Sequence, residues 1–109
     1  MSETALSKAI RTALEQRGLW VIRVQSGVIP AVYKGRRRHI HCAEPGTPDL
    51  FVVDRGVWLE VKPARGKLRP EQRAWHEKAA RCFVRVVVVR SVREALAALG
   101  LLPAVRRAA

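Results

Sequence analysis

Three residues in the most strand-like stretch of this 109-residue chain could do chemistry together: Asp49, Glu60 and Lys62, within PDLFVVDRGVWLEVK from Pro48 to Lys62. Charges are seldom placed in buried strands unless they are paired or bind a metal. Side chains alternate along a strand, so Glu60 and Lys62 point one way while Leu59 and Val61 face a core. With Arg55-Gly56 as the turn, the two strands fold back as a hairpin close to the Asp-Gly type, and Asp49 approaches Glu60 at one end of the sheet. Two carboxylates at that range repel unless a divalent cation lies between them. Hard oxygen ligands of this kind suit Mg²⁺ or Mn²⁺, which keep waters and accept phosphate oxygens. A lysine beside them can orient a water or balance charge building on a phosphate. Taken alone, E-x-K reads rather as an exposed i, i+2 ion pair worth within about 1 kcal/mol, and three residues carry little specificity.

The elements that must position these residues follow from local signals. Leu6, Ile10, Ala13 and Leu14 fall at helical spacing between Ser2, a cap, and Gly18, a stop. LWVIRVQ, Leu19 to Gln25, reads as a strand. Residues 26–45 are punctuated by glycines and prolines and read as a flexible basic loop or β-flap, in which Val28 to Tyr33 pairs with His39 to Cys42 across a turn at KGRRR. Leu50–Val53 and Val57–Lys62 are strands, and PARGKLR is a basic loop from Pro63 to Arg69. Pro70 suits the first turn of a helix through EQRAWHEKAARC. FVRVVVVR is the most apolar strand and is expected at the sheet centre. Ser91 and Glu94 match a capping box before a last helix ending at Gly100, with a tail at 101–109. The order α-β-β-β-α-β-α predicts a small mixed β-sheet flanked by helices, with a right-handed parallel crossover.

Composition bounds the class. The length fits one domain, 1–109 with its core at about 3–100, and 49% apolar residues suffice for that core. Lys and Arg number 21 against 9 Asp and Glu, a formal net charge of +12, which points to a polyanionic partner such as nucleic acid. Cys42 and Cys82 make no disulfide framework, and His39, His41 and Cys42 lack zinc-knuckle spacing. Trp20 and Trp58 are expected to pack in the sheet and Trp75 to face the core. Without a signal core or a membrane-length apolar run, the expected location is intracellular.

GTPDLFVVDRGVWLEVKPARGKLRPEQRAW, Gly46 to Trp75, resembles the nucleases that carry a PD-(D/E)xK motif, and within them the virus-type replication-repair nuclease (VRR-NUC) domain. The resemblance lies in Gly46, Pro48, Asp49 and Leu50, then Glu60, Val61 and Lys62 on the next strand, then Leu68, Gln72 and Trp75. With a helix opening on a glutamate and RGLWVIRVQSG, it spans roughly residues 3–95.

The resemblance implies a restriction-endonuclease-like core in which Asp49, Glu60 and the Val61 carbonyl hold Mg²⁺ or Mn²⁺. Lys62 would position the attacking water, and Gln72 would help hold lysine or water in place. Glu3 is either a further metal-associated glutamate or an acidic residue set against the helix dipole. Lys34, Arg36, Arg37 and Arg38 on one side, and Arg65, Lys67 and Arg69 on the other, would grip phosphates. The implied activity is structure-selective DNA cleavage, as in phage-type stand-alone members resembling Holliday-junction resolvases. Such members act as homodimers on branched DNA in the cytoplasm of a bacterial or phage-infected cell, without a small-molecule cofactor. A flap or nicking nuclease, or a non-catalytic DNA-binding module on the same fold, is the alternative.

Overall fold

Residues Glu3–Glu15 form helix α1, opened by Ser2, whose hydroxyl accepts from the Ala5 N–H at 3.2 Å. Leu6, Ile10 and Leu14 form its buried stripe. The computed structural model describes residues 1–25, 28–41 and 43–102, and of residues 28–31, 33 and 38–41 the backbone alone. After α1 come β1 (Val21–Arg23), β2 (Val28–Tyr33), β3 (Arg36–His41), β4 (Leu50–Val52), β5 (Val57–Val61), α2 (Pro70–Arg81), β6 (Arg85–Val89) and α3 (Val92–Ala98). The result is a small α/β fold with a mixed four-stranded sheet, a separate two-stranded hairpin and three helices. No helix among the described residues is long and apolar enough to cross a membrane.

The sheet runs β1-β4-β5-β6, antiparallel except for the parallel pair β5 and β6 joined through α2. The valine-rich strand therefore lies at an edge, not at the centre. β4 already occupies one side of β5, and α2 and α3 both pack on β6, which accounts for its apolar run. Phe83 does not belong to that strand: it is 98% exposed with φ 59°, and ends α2 as a left-handed cap whose N–H reaches Ala80 O at 3.3 Å.

Two hairpins differ from their expected turns. β4 and β5 join through a 3-10 turn at Val53–Arg55 and Gly56 with φ 61°, so the connection has four residues rather than two. β2 and β3 join through Lys34 and Gly35, with φ 50° and 73°, and the arginines belong to strand β3 rather than to the turn. Two positive φ values in a two-residue loop match the twist of the flanking strands.

Helices α1 and α3 cover one sheet face, packing Leu6, Ile10, Leu14, Leu96 and Leu99 against Leu50, Val52, Leu59 and Val61. Leu101 and Leu102 pack on that core as well, so the tail begins by sealing it, and residues 103–109 lie outside the described residues. Helix α2 lies on the other face, with Trp75 edge-on to Trp58 at 5.3 Å and Trp58 against Phe51 at 4.6 Å. Trp58 and Trp75 are each half-buried. Trp20 is 63% exposed, against expectation, because it precedes the edge strand and no helix covers it. Cys82 is an exposed free thiol, and Cys42 lies outside the described residues.

Candidate active site

The site grows from strand register. Leu50 lies opposite Leu59, so one step further Asp49 comes level with Glu60, and two steps further Pro48 comes level with Val61. Proline has no N–H to give the Val61 carbonyl. The Val61 N–H instead donates to Asp49 Oδ2 at 3.1 Å, and the Asp49 carbonyl accepts from Val24 N–H at 2.7 Å. Asp49 is thereby fixed from both neighbouring strands. Gly46 lets the preceding turn lie against α2: its φ is 87°, and a Cβ there would collide with the Glu71 carbonyl.

Glu60 is fully buried because α2 closes over the β5 face that carries it, which rules out the exposed ion pair. Its Oε1 lies 3.0 Å from His76 Nε2, and its Oε2 has no hydrogen-bond partner among the described residues. Burial, foremost, and then the charge of Asp49 push the Glu60 carboxyl up to about 8, while Lys62 pulls the other way. A hydrogen bond to Asp49, open only to the protonated acid, and the charge of Glu3 add to the rise. Burial and then Lys62 hold the His76 imidazole below its ordinary value, so it is neutral at neutral pH.

This arrangement fits a divalent cation. A buried oxygen with no donor, facing a second carboxylate, satisfies neither group while both are charged. No group of three or more His, Cys, Asp and Glu able to hold a metal occurs among the described residues. Two carboxylates and a carbonyl suit Mg²⁺ or Mn²⁺, which take their remaining oxygens from water and phosphate, better than an all-protein zinc cage.

Lys62 is 5% exposed, and its ammonium has neither hydrogen bond nor ion pair among the described residues. It is thus available to a water or a phosphate. Gln72 is buried, but its Oε1 accepts from the Arg69 N–H at 2.8 Å, closing the first turn of α2. Arginine has no acceptor, so only this half of a capping box forms. Glu3 is half-buried at the start of α1 and lines a cavity together with Asp49.

Both basic segments spring from the Asp49–Glu60 end of the sheet, one after β1 and the other after β5. Lys34, Arg36 and Arg37 are exposed on the hairpin, but Arg36 and Arg37 are consecutive in β3 and so face opposite ways. The Arg38 side chain lies outside the described residues. Arg65, Lys67 and Arg69 are exposed, and Arg69 pairs with Glu71 at 3.3 Å.

Two residues of the site escape a reading by motif. His76 lies one helical turn beyond Gln72, and that i, i+4 spacing is the signal that would have found it. Arg90 donates through Nη1 to the carbonyls of Pro63 at 2.8 Å and Gly66 at 2.7 Å, pinning the basic loop to the end of β6. Nothing local in the sequence marks it. No protein-family model matches this chain, and neither does any curated protein or solved structure.

Proposed function

We propose that this chain is a metal-dependent, structure-selective DNA endonuclease of the PD-(D/E)xK type, akin to the VRR-NUC domain, acting on branched DNA such as four-way junctions. The observation that carries the reading is the fully buried Glu60 beside Asp49, with one oxygen that has no hydrogen-bond partner among the described residues, and the buried Lys62 two residues on. A binding-only module gains nothing from two clustered carboxylates facing a polyanion.

On this reading Asp49, Glu60 and the Val61 carbonyl would hold Mg²⁺ or Mn²⁺, which when bound would supply positive charge to acidify water and offset the charge of the reacting phosphate. The Val61 N–H holds Asp49 in place, and His76 holds one oxygen of Glu60 so that the other stays turned to the site. Lys62 donates to the attacking water or to a phosphate oxygen, and its burial excludes competing solvent. Water oxygen bonds to phosphorus, the P–O bond to the leaving strand breaks, and the proton that the water loses ends on the departing oxygen. Two strands of a junction call for two sites, hence a homodimer.

The test is cleavage of a labelled four-way junction, a 5′ flap, a duplex and a single strand, each with Mg²⁺, Mn²⁺ or EDTA. Paired cuts in the junction, lost in EDTA and reduced at least about 10²-fold in Asp49→Asn with binding retained, are expected. Binding without any metal-dependent product would leave the non-catalytic module.

A further inference from the structure

Two cavities run along the outer side of α1 and meet. The first, about 280 Å³, is lined by Glu3, Thr4, Ser7, Arg23, Gln25 and Asp49. The second, about 320 Å³, is lined by Thr4, Ser7, Lys8, Arg11 and Arg23. Thr4, Ser7 and Arg23 are common to both, so the two form one groove between α1 and the edge strand β1. Its head carries the carboxylates of Asp49 and Glu3, and its length carries three cations and two hydroxyls.

Helix and strand periodicity build this surface. Glu3, Ser7 and Arg11 recur every four residues and form a stripe beside the buried Leu6, Ile10 and Leu14. Arg23 shares the sheet face of the buried Val21, but it stands on the outermost strand and is exposed. Arg11 pairs with Glu15 at 2.6 Å, whereas Lys8 and Arg23 have no ion-pair partner among the described residues.

We infer that this α1–β1 groove binds the DNA strand next to the reacting phosphate, with Arg23, Lys8 and Arg11 on successive phosphates and Thr4 and Ser7 donating between them. The inference rests on the nuclease reading for the meaning of the acidic head. The dimensions agree with a strand. From Glu3 to Arg11 the helix rises about 12 Å, and one DNA strand presents a phosphate every 3.4 Å or so along its axis, which makes about three to four intervals and leaves room for three contacts. The gradient agrees as well: an acidic head admits a phosphate only with a cation, while the basic length draws the backbone on.

The experiment uses the full chain and a fluorescently labelled four-way junction in EDTA, with affinity measured across a series of KCl concentrations. In Lys8→Gln/Arg23→Gln the slope of log K against log salt is expected to be shallower by about 1.8, near 0.9 for each lost contact. The comparator Arg81→Gln/Arg93→Gln removes two exposed cations that line neither cavity and is expected to keep the wild-type slope. A wild-type slope in the groove variant, or an equal fall in the comparator, would overturn the groove. Wild-type protein that binds no DNA would sink both this inference and the nuclease. Wild-type protein that shows the slope change but never cuts with Mg²⁺ would keep the groove and remove the nuclease.

Discussion

Glu60 sits between Asp49, His76 and Lys62 with no solvent of its own, and the cost of that placement is readable as pH dependence. A carboxyl held up to about 8 in the fold, against an ordinary 4.5, keeps its proton there while the unfolded chain loses it. The unfolded state binds fewer protons in that window, so stability falls as pH rises from about 4.5 to about 8, and levels off above. In EDTA, urea unfolding is expected to show a total loss of up to about 5 kcal/mol across the window, about 1.4 kcal/mol for each pH unit. Glu60→Gln should flatten the curve; the same slope in both proteins would place the titration elsewhere. His76 is the second test at this scale. His76→Ala leaves both Glu60 oxygens unpartnered, and on the nuclease reading Mn²⁺ affinity by calorimetry is expected to weaken about 10–100-fold. His76→Gln should recover part of it, because its longer amide can still reach as a donor where Nε2 stood. Equal affinities in all three would separate His76 from the metal site.

At the scale of elements, caps and turns decide what could be foreseen. Helices α1 and α3 are legible in the sequence because Ser2, Ser91 and Glu94 act within one turn of themselves: Ser91 Oγ accepts from the Glu94 N–H at 3.0 Å. Pro70 likewise opens α2 at its first position. Phe83 is the counter-case. Its aromatic side chain reads as a strand, yet it serves as the left-handed cap of α2 at φ 59°, a conformation that glycine adopts without penalty. Phe83→Gly is expected to stabilise the protein by about 1 kcal/mol, visible as a higher urea midpoint. A loss of stability instead would mean that the ring, 98% exposed here, is covered in solution. The edge position of β6 was equally out of reach of local reading. Helices pack on it from both sides, so its valines look like those of a central strand.

For the molecule as a whole, charge and shape matter together. The radius of gyration is 16.1 Å, where a compact chain of this length gives about 13 Å. The β2–β3 hairpin forms its own two-stranded sheet, and among the described residues its backbone neighbours lie mainly within the hairpin. An arm that stands apart can contribute phosphate contacts without shaping the acidic pair. Replacing Arg36, Arg37 and Arg38 with glutamine is therefore expected to make the salt slope of junction binding shallower by about 2. On the nuclease reading, single-turnover cleavage under saturating protein should remain within about twofold of wild type, because Lys62 and the carboxylates are untouched. A much slower single-turnover rate would show that the arm also places the reacting phosphate.

The sequence by itself determined the strongly basic net charge, the three helices and the pairing that brings Asp49 level with Glu60. All of these depend on composition, caps or strand alternation, which are local. Only the tertiary structure decided that α2 closes over Glu60, that His76 takes one of its oxygens, and that Arg90 holds the basic loop. It also decided that α1 and β1 line one groove leading to Asp49. These contacts join residues distant in the chain, and the burial that sets the Glu60 proton depends on which helix covers which face.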